Sequence, residues 1–79
     1  MNKEQIVAKL LPIVRDVFGD KELIITDSMS ADTVDGWTSL SFMQLLARIE
    51  ESFGFKFKIF DLVSIQNMGD LLAAIANTL

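Results

Sequence analysis

The stretch from Trp37 to Gly54 constrains the fold more than any other part of the chain. Phe42, Leu45, Leu46, Ile49 and Phe53 recur at three- and four-residue spacing, which puts them on one wide apolar face of a helix. Thr38 precedes the period as an N-cap, and Gly54 follows it as a C-terminal stop. Trp37 and Phe42 then occupy N′ and N4, the two positions of a hydrophobic staple. A helix over 38–53 with so wide an apolar face has to be covered by other elements.

Two further segments carry the same period. Residues 3–18 read as a helix capped by Asn2, with Gln5 placed for a capping box and Ile6, Leu10, Ile13 or Val14, and Val17 as its stripe. Pro12 is discordant, because an interior proline removes a backbone hydrogen bond. A kink near Ala8 to Pro12, or a restart there, is expected, with Gly19 and Asp20 ending the element. Residues 68–78 read as a last helix, with Asn67 as cap, Asp70 as the N3 acid of a near capping box, and Leu71, Leu72, Ile75 and Leu79 as its buried stripe. The alternation Phe55-Lys56-Phe57-Lys58-Ile59 has no strand partner except Leu23 to Thr26. It reads as an extended linker, followed by a short helical turn near Phe60 to Val63. Residues 20–36 lack any period and form a long first loop pinned by apolar side chains such as Leu23; loops of that length in small domains are often functional. The expected fold is all-α, a small four-helix bundle with three long helices and one short one, in a single domain over residues 1–79.

Composition removes several functions. The 79 residues include no cysteine and no histidine. Disulfides, thiol nucleophiles, the commonest general base and the commonest nitrogen ligand for metals are therefore absent, and a self-contained hydrolase or metalloenzyme is not expected. With 11 acidic against 7 basic residues the net charge is −4. Such a surface repels phosphates, so neither nucleic acid nor an anionic membrane is an expected partner, and a basic protein is the natural complement. Met1-Asn2-Lys3-Glu4-Gln5 is polar, and no apolar run approaches a membrane span. A cytoplasmic, mainly monomeric protein is the expectation.

The segment Asp35-Gly36-Trp37-Thr38-Ser39-Leu40 carries the chemistry. Here the chain resembles the acyl carrier protein family, whose members place a serine, usually within Asp-Ser-Leu, at the start of their second helix. The match continues in register from Ser39 to Gly54, including Glu50-Glu51-Ser52-Phe53, and recurs at Asn67-Met68-Gly69-Asp70-Leu71. Trp37, two residues before the serine, is similar to a Trp-Asp-Ser-Leu subgroup of free-standing carriers in specialised pathways. Thr38 departs from that pattern: it keeps a capping hydroxyl and loses a carboxylate, which weakens a recognition point for a transferase, with Asp35 a partial substitute. Gln44 and Ser41 also stand where fatty-acid-type carriers often have acids.

The resemblance implies a carrier, not an enzyme. Ser39 would bear 4′-phosphopantetheine, making the chain a phosphoprotein whose arm supplies the thiol that the polypeptide lacks. A phosphopantetheinyl transferase would install the arm from coenzyme A with a magnesium ion of its own. An acyltransferase or adenylating ligase would load it, and downstream synthase enzymes of fatty acid, polyketide or related pathways would accept the thioester. Leu40, Met43, Ala47, Glu50, Glu51 and Asp35 would form the docking surface. Each has a plainer reading as well. The three apolar residues would pack against the first loop, and exposed acids are usually solvated. Ser41 reads as an N3 residue, Trp37 and Thr38 as caps, the phenylalanines at 18, 42, 53, 55, 57 and 60 as core, and Lys56 and Lys58 as solvated flank. Three other assignments are compatible with the pattern: an unmodified helical interaction module with the carrier fold, a helical oligomerisation subunit, and a peptidyl carrier for a non-ribosomal pathway.

Overall fold

Each long helix starts at a residue whose side chain replaces a missing intrahelical bond. The computed structural model describes residues 1–79 as α1 (Lys3–Phe18), α2 (Ser39–Phe53), α3 (Ile59–Val63) and α4 (Met68–Thr78), with no strand. Asn2 caps α1 in a full capping box with Gln5, both bonds being 2.9 Å. Thr38 caps α2 and Asn67 caps α4. Gly19 and Gly54 close α1 and α2 in the left-handed conformation, at φ 68° and 76°, which glycine adopts without a Cβ clash.

α1 packs against both α2 and α4. Ile6, Leu10 and Val14 of α1, Leu45 and Ile49 of α2, and Met68, Leu71 and Ile75 of α4 are fully buried in one apolar cluster. Both Ile13 and Val14 are buried, and Phe18 extends the stripe beyond the half-buried Val17.

The structure corrects the expectations for Leu79 and Phe60, and of the two outcomes expected at Pro12 it excludes the restart. α1 runs through Pro12 without restarting. Ala8 and Pro12 both lie on the exposed face, so water can take the carbonyl that proline leaves unpaired. Leu79 lies past the last turn of α4 and is half exposed rather than part of the stripe. Asp70 does not complete a capping box; its carboxylate accepts the Gln66 N–H at 3.0 Å. Phe60 is 85% exposed, not core. α3 is one turn long and turns Leu62 inward, which leaves its other apolar side chains in solvent.

The long first loop is tied at both ends. Arg15 Nε donates to the Leu23 carbonyl at 2.9 Å, and Leu23 and Met29 are buried. The first amides of α4 need acceptors from outside the helix, and the loop provides them: Met68 N–H donates to the Met29 carbonyl and Gly69 N–H to the Asp27 carbonyl, both at 2.8 Å. At its far end the loop lays Gly36 on the last turn of α1, where an added Cβ would collide with the Phe18 carbonyl oxygen. Gly36→Ala is therefore expected to cost about 1–3 kcal/mol of unfolding free energy, read as a lowered urea midpoint at unchanged slope.

Candidate functional site

The site is built where the first loop meets α2. Trp37 is buried between two rings. It stacks on Phe18 of α1 (centroids 5.3 Å apart, planes 25°) and on Phe42 of α2 (5.6 Å, 15°). The Trp37–Phe42 contact is the staple that the spacing anticipates, and Phe18 extends it to the neighbouring helix.

Thr38 follows, with its backbone extended and its hydroxyl accepting the Ser41 N–H at 3.1 Å. Ser41 Oγ accepts the Thr38 N–H and donates to the Gly36 carbonyl at 2.7 Å. These bonds complete a capping box and bury Ser41. Its hydroxyl is committed inside the fold and does not compete as a nucleophile.

Ser39 is the first residue of α2 and is exposed, with no internal hydrogen bond to its hydroxyl. Of the first α2 amides, Ser41 N–H goes to the Thr38 hydroxyl and Phe42 N–H to the Thr38 carbonyl. Those of Ser39 and Leu40 stay free, and the first turn contains no acid. Free amides and the positive end of the helix dipole together favour an anion at this point. The residues therefore fit a phosphodiester on Ser39. Thr38 caps the helix without adding a negative charge beside this position.

Around Ser39 the apolar side chains are open. Leu40 and Met43 are 67% and 68% exposed, and Ala47 is exposed one turn further. None is covered by the first loop. Asp35 is exposed and has no ion-pair partner. Arg48 is engaged with Asp16 at 2.7 Å.

The two glutamates separate. Glu51 is exposed. Glu50 is half-buried: Oε2 accepts the Phe57 N–H at 2.8 Å, and Oε1 lies 3.8 Å from Lys56 Nζ. Its carboxylate holds the segment between α2 and α3, so only Glu51 of the pair is free to meet a partner. The sequence pattern could not separate them, because both follow the apolar stripe and the distinction depends on where residues 55–58 return. Sequence reasoning also missed Ile59, Phe60 and Val63, which are 80%, 85% and 77% exposed. The signal was available: a one-turn helix with four apolar residues cannot bury all its sides.

Comparison with known proteins agrees with this geometry. Residues 8–75 match the phosphopantetheine attachment site family. A holo acyl carrier protein from Geobacter metallireducens is similar at 35% identity and a TM-score of 0.83, over 91% of this chain and 83% of that one. A candidate acyl carrier protein from Mycobacterium tuberculosis is similar at 25% identity and a TM-score of 0.69, over 95% of each chain. No curated protein sequence matches the chain. The fold and site thus define a phosphopantetheine-bearing carrier rather than an enzyme. The chain belongs to the acyl carrier protein family, its cofactor is 4′-phosphopantetheine, and carriers of this family work with a modifying transferase and synthase enzymes. No helix is long and apolar enough to cross a membrane.

Glu50→Ala is expected to lower stability by about 1–3 kcal/mol, because the Phe57 N–H loses its acceptor. Glu51→Ala should stay within about 0.5 kcal/mol of the parent. Urea denaturation of the two variants side by side measures the contrast.

Proposed function

We propose that Ser39 is the attachment point of the arm, and that the protein presents acyl or aminoacyl groups as thioesters to the enzymes of a fatty acid, polyketide or related specialised pathway. The observation that carries this reading is the contrast between two serines of one helical turn: Ser39 exposed and unbonded, Ser41 buried and bonded. In the modification, Ser39 Oγ forms a bond to the phosphorus of coenzyme A that bears pantetheine. The pyrophosphate linkage breaks, adenosine bisphosphate leaves, and the serine proton passes to a base of the transferase. When bound, the arm supplies a thiol that an acyltransferase or adenylating ligase can load.

Leu40, Met43 and Ala47 supply the apolar part of the docking surface, with Glu51 and Asp35 as its charged margin. Those acids steer and orient a basic partner more than they add affinity. Glu50 contributes indirectly, by holding the segment that leads to α3. The Trp-x-Ser-Leu sequence and the sparsely acidic α2 support a dedicated set of partners in a specialised pathway.

The test is intact mass after incubation with coenzyme A, magnesium and a broad-specificity phosphopantetheinyl transferase. One phosphopantetheine adduct is expected on the parent and none on Ser39→Ala. Ser41→Ala should still accept the adduct, while costing about 1–2 kcal/mol of stability through the lost capping box. An adduct that survives in Ser39→Ala, or a parent that stays unmodified even with its native transferase, would overturn the assignment.

A further inference from the structure

An open groove of about 720 Å³ runs beside the site, between the last turn of α1 and the first loop. Its volume falls within the range of small-molecule sites, about 300–1,000 Å³. The wall nearest the site is Asp35-Gly36. Gly36 is three residues before Ser39, so their Cα atoms lie within about 11 Å of each other. A long flexible group attached to Ser39 can therefore reach the Asp35-Gly36 wall of this groove.

The chemistry of the lining is specific. Asp35, Thr26 and Ser28 line the groove, and the Asp35 carboxylate and the two hydroxyls have no hydrogen-bond partner in the protein. Asp20, also on the wall, uses a carboxylate oxygen to accept the Glu22 N–H. Two carboxylates disfavour an anion inside the groove and accept from a donor of N–H groups. Ile24 supplies apolar surface there and is 67% exposed, which core packing does not explain. The phosphate end of the arm belongs at the start of α2, where the amides are free. The remainder of the arm is neutral, with two amides, methylene segments and a pair of geminal methyl groups.

From these features the geometry points to a resting site for the unloaded pantetheine arm in this groove. Asp35 accepts an arm amide N–H, the Thr26 and Ser28 hydroxyls donate to arm carbonyls, and Ile24 covers the methyl-bearing part. The inference rests on Ser39 carrying the arm. It gives the long first loop a binding role, and it places Asp35 and Ile24 in contact with the cofactor, a role that Asp35 has besides its place at the margin of the docking surface.

The experiment begins with intact mass, so that failure of modification is recognised separately from failure of the groove. On protein shown to carry one adduct, nitrogen–proton correlation spectra of apo and holo forms are compared, and nuclear Overhauser contacts are measured from the arm. The expected result is shifted amides at Ile24, Thr26, Ser28 and Asp35 in addition to the turn around Ser39, with contacts from the arm methyl groups to Ile24. Thr26→Val and Ile24→Ser, both at exposed positions, should still be modified, and the remaining loop shifts should shrink. Shifts confined to residues 37–42, or arm contacts to Leu40, Met43 or Ile59 in place of Ile24, would overturn it. The contacts in the parent protein decide the matter even if a variant folds poorly.

Discussion

The stack of Phe18, Trp37 and Phe42 is the interaction on which the presentation of the site depends. Its three rings come from the end of α1, the end of the first loop and the first turn of α2. Stacked pairs contribute about 0.5–1.5 kcal/mol each beyond the area they bury, a substantial share of what an 8.8 kDa domain has available. Trp37 lies two residues before Ser39, so the rings that bury it also fix where α2 begins. The close approach of Gly36 to the Phe18 carbonyl belongs to the same joint. Ser39 is exposed, and the chain on both sides of it is held.

The rest of the fold extends this division between a fixed support and an open surface. The first loop has no regular secondary structure, yet its carbonyls cap the start of α4 and its start is held by Arg15. It therefore acts as a structural layer between helices. Glu50 does comparable work on the other side of α2, where a carboxylate near the helix C-terminus opposes the dipole and is compensated by the Phe57 N–H and Lys56. Between these supports the protein leaves Leu40, Met43, Ile59, Phe60 and Val63 in solvent. Exposed apolar groups of this kind mark surfaces that meet a partner.

Much of this was legible before any coordinates. Local rules place all three long helices, because caps, terminal glycines and a 3.6-residue period act within a few residues of one another. The staple at Trp37 and Phe42 and the N3 role of Ser41 are local in the same sense. The all-helical class and the carrier assignment follow from residues in register over the second and last helices. The misreadings share a cause. Residue type and a short pattern make Phe60 and Leu79 core, and their exposure depends on what lies opposite. An exposed face lets α1 pass through a proline, and a one-turn helix has room to bury a single side chain.

By itself, then, the sequence determined the helices, their caps, the serine at the head of α2 and the lack of any cysteine or histidine side chain, since these depend on residue type and on spacing within a turn or two. Tertiary structure alone decided that Phe18 completes the stack, that Glu50 is bonded to the Phe57 amide while Glu51 is free, that the loop carbonyls cap α4, and that a groove opens between the last turn of α1 and the first loop. Those features join residues far apart along the chain, and no periodicity encodes which distant backbone group will meet which side chain once the helices pack.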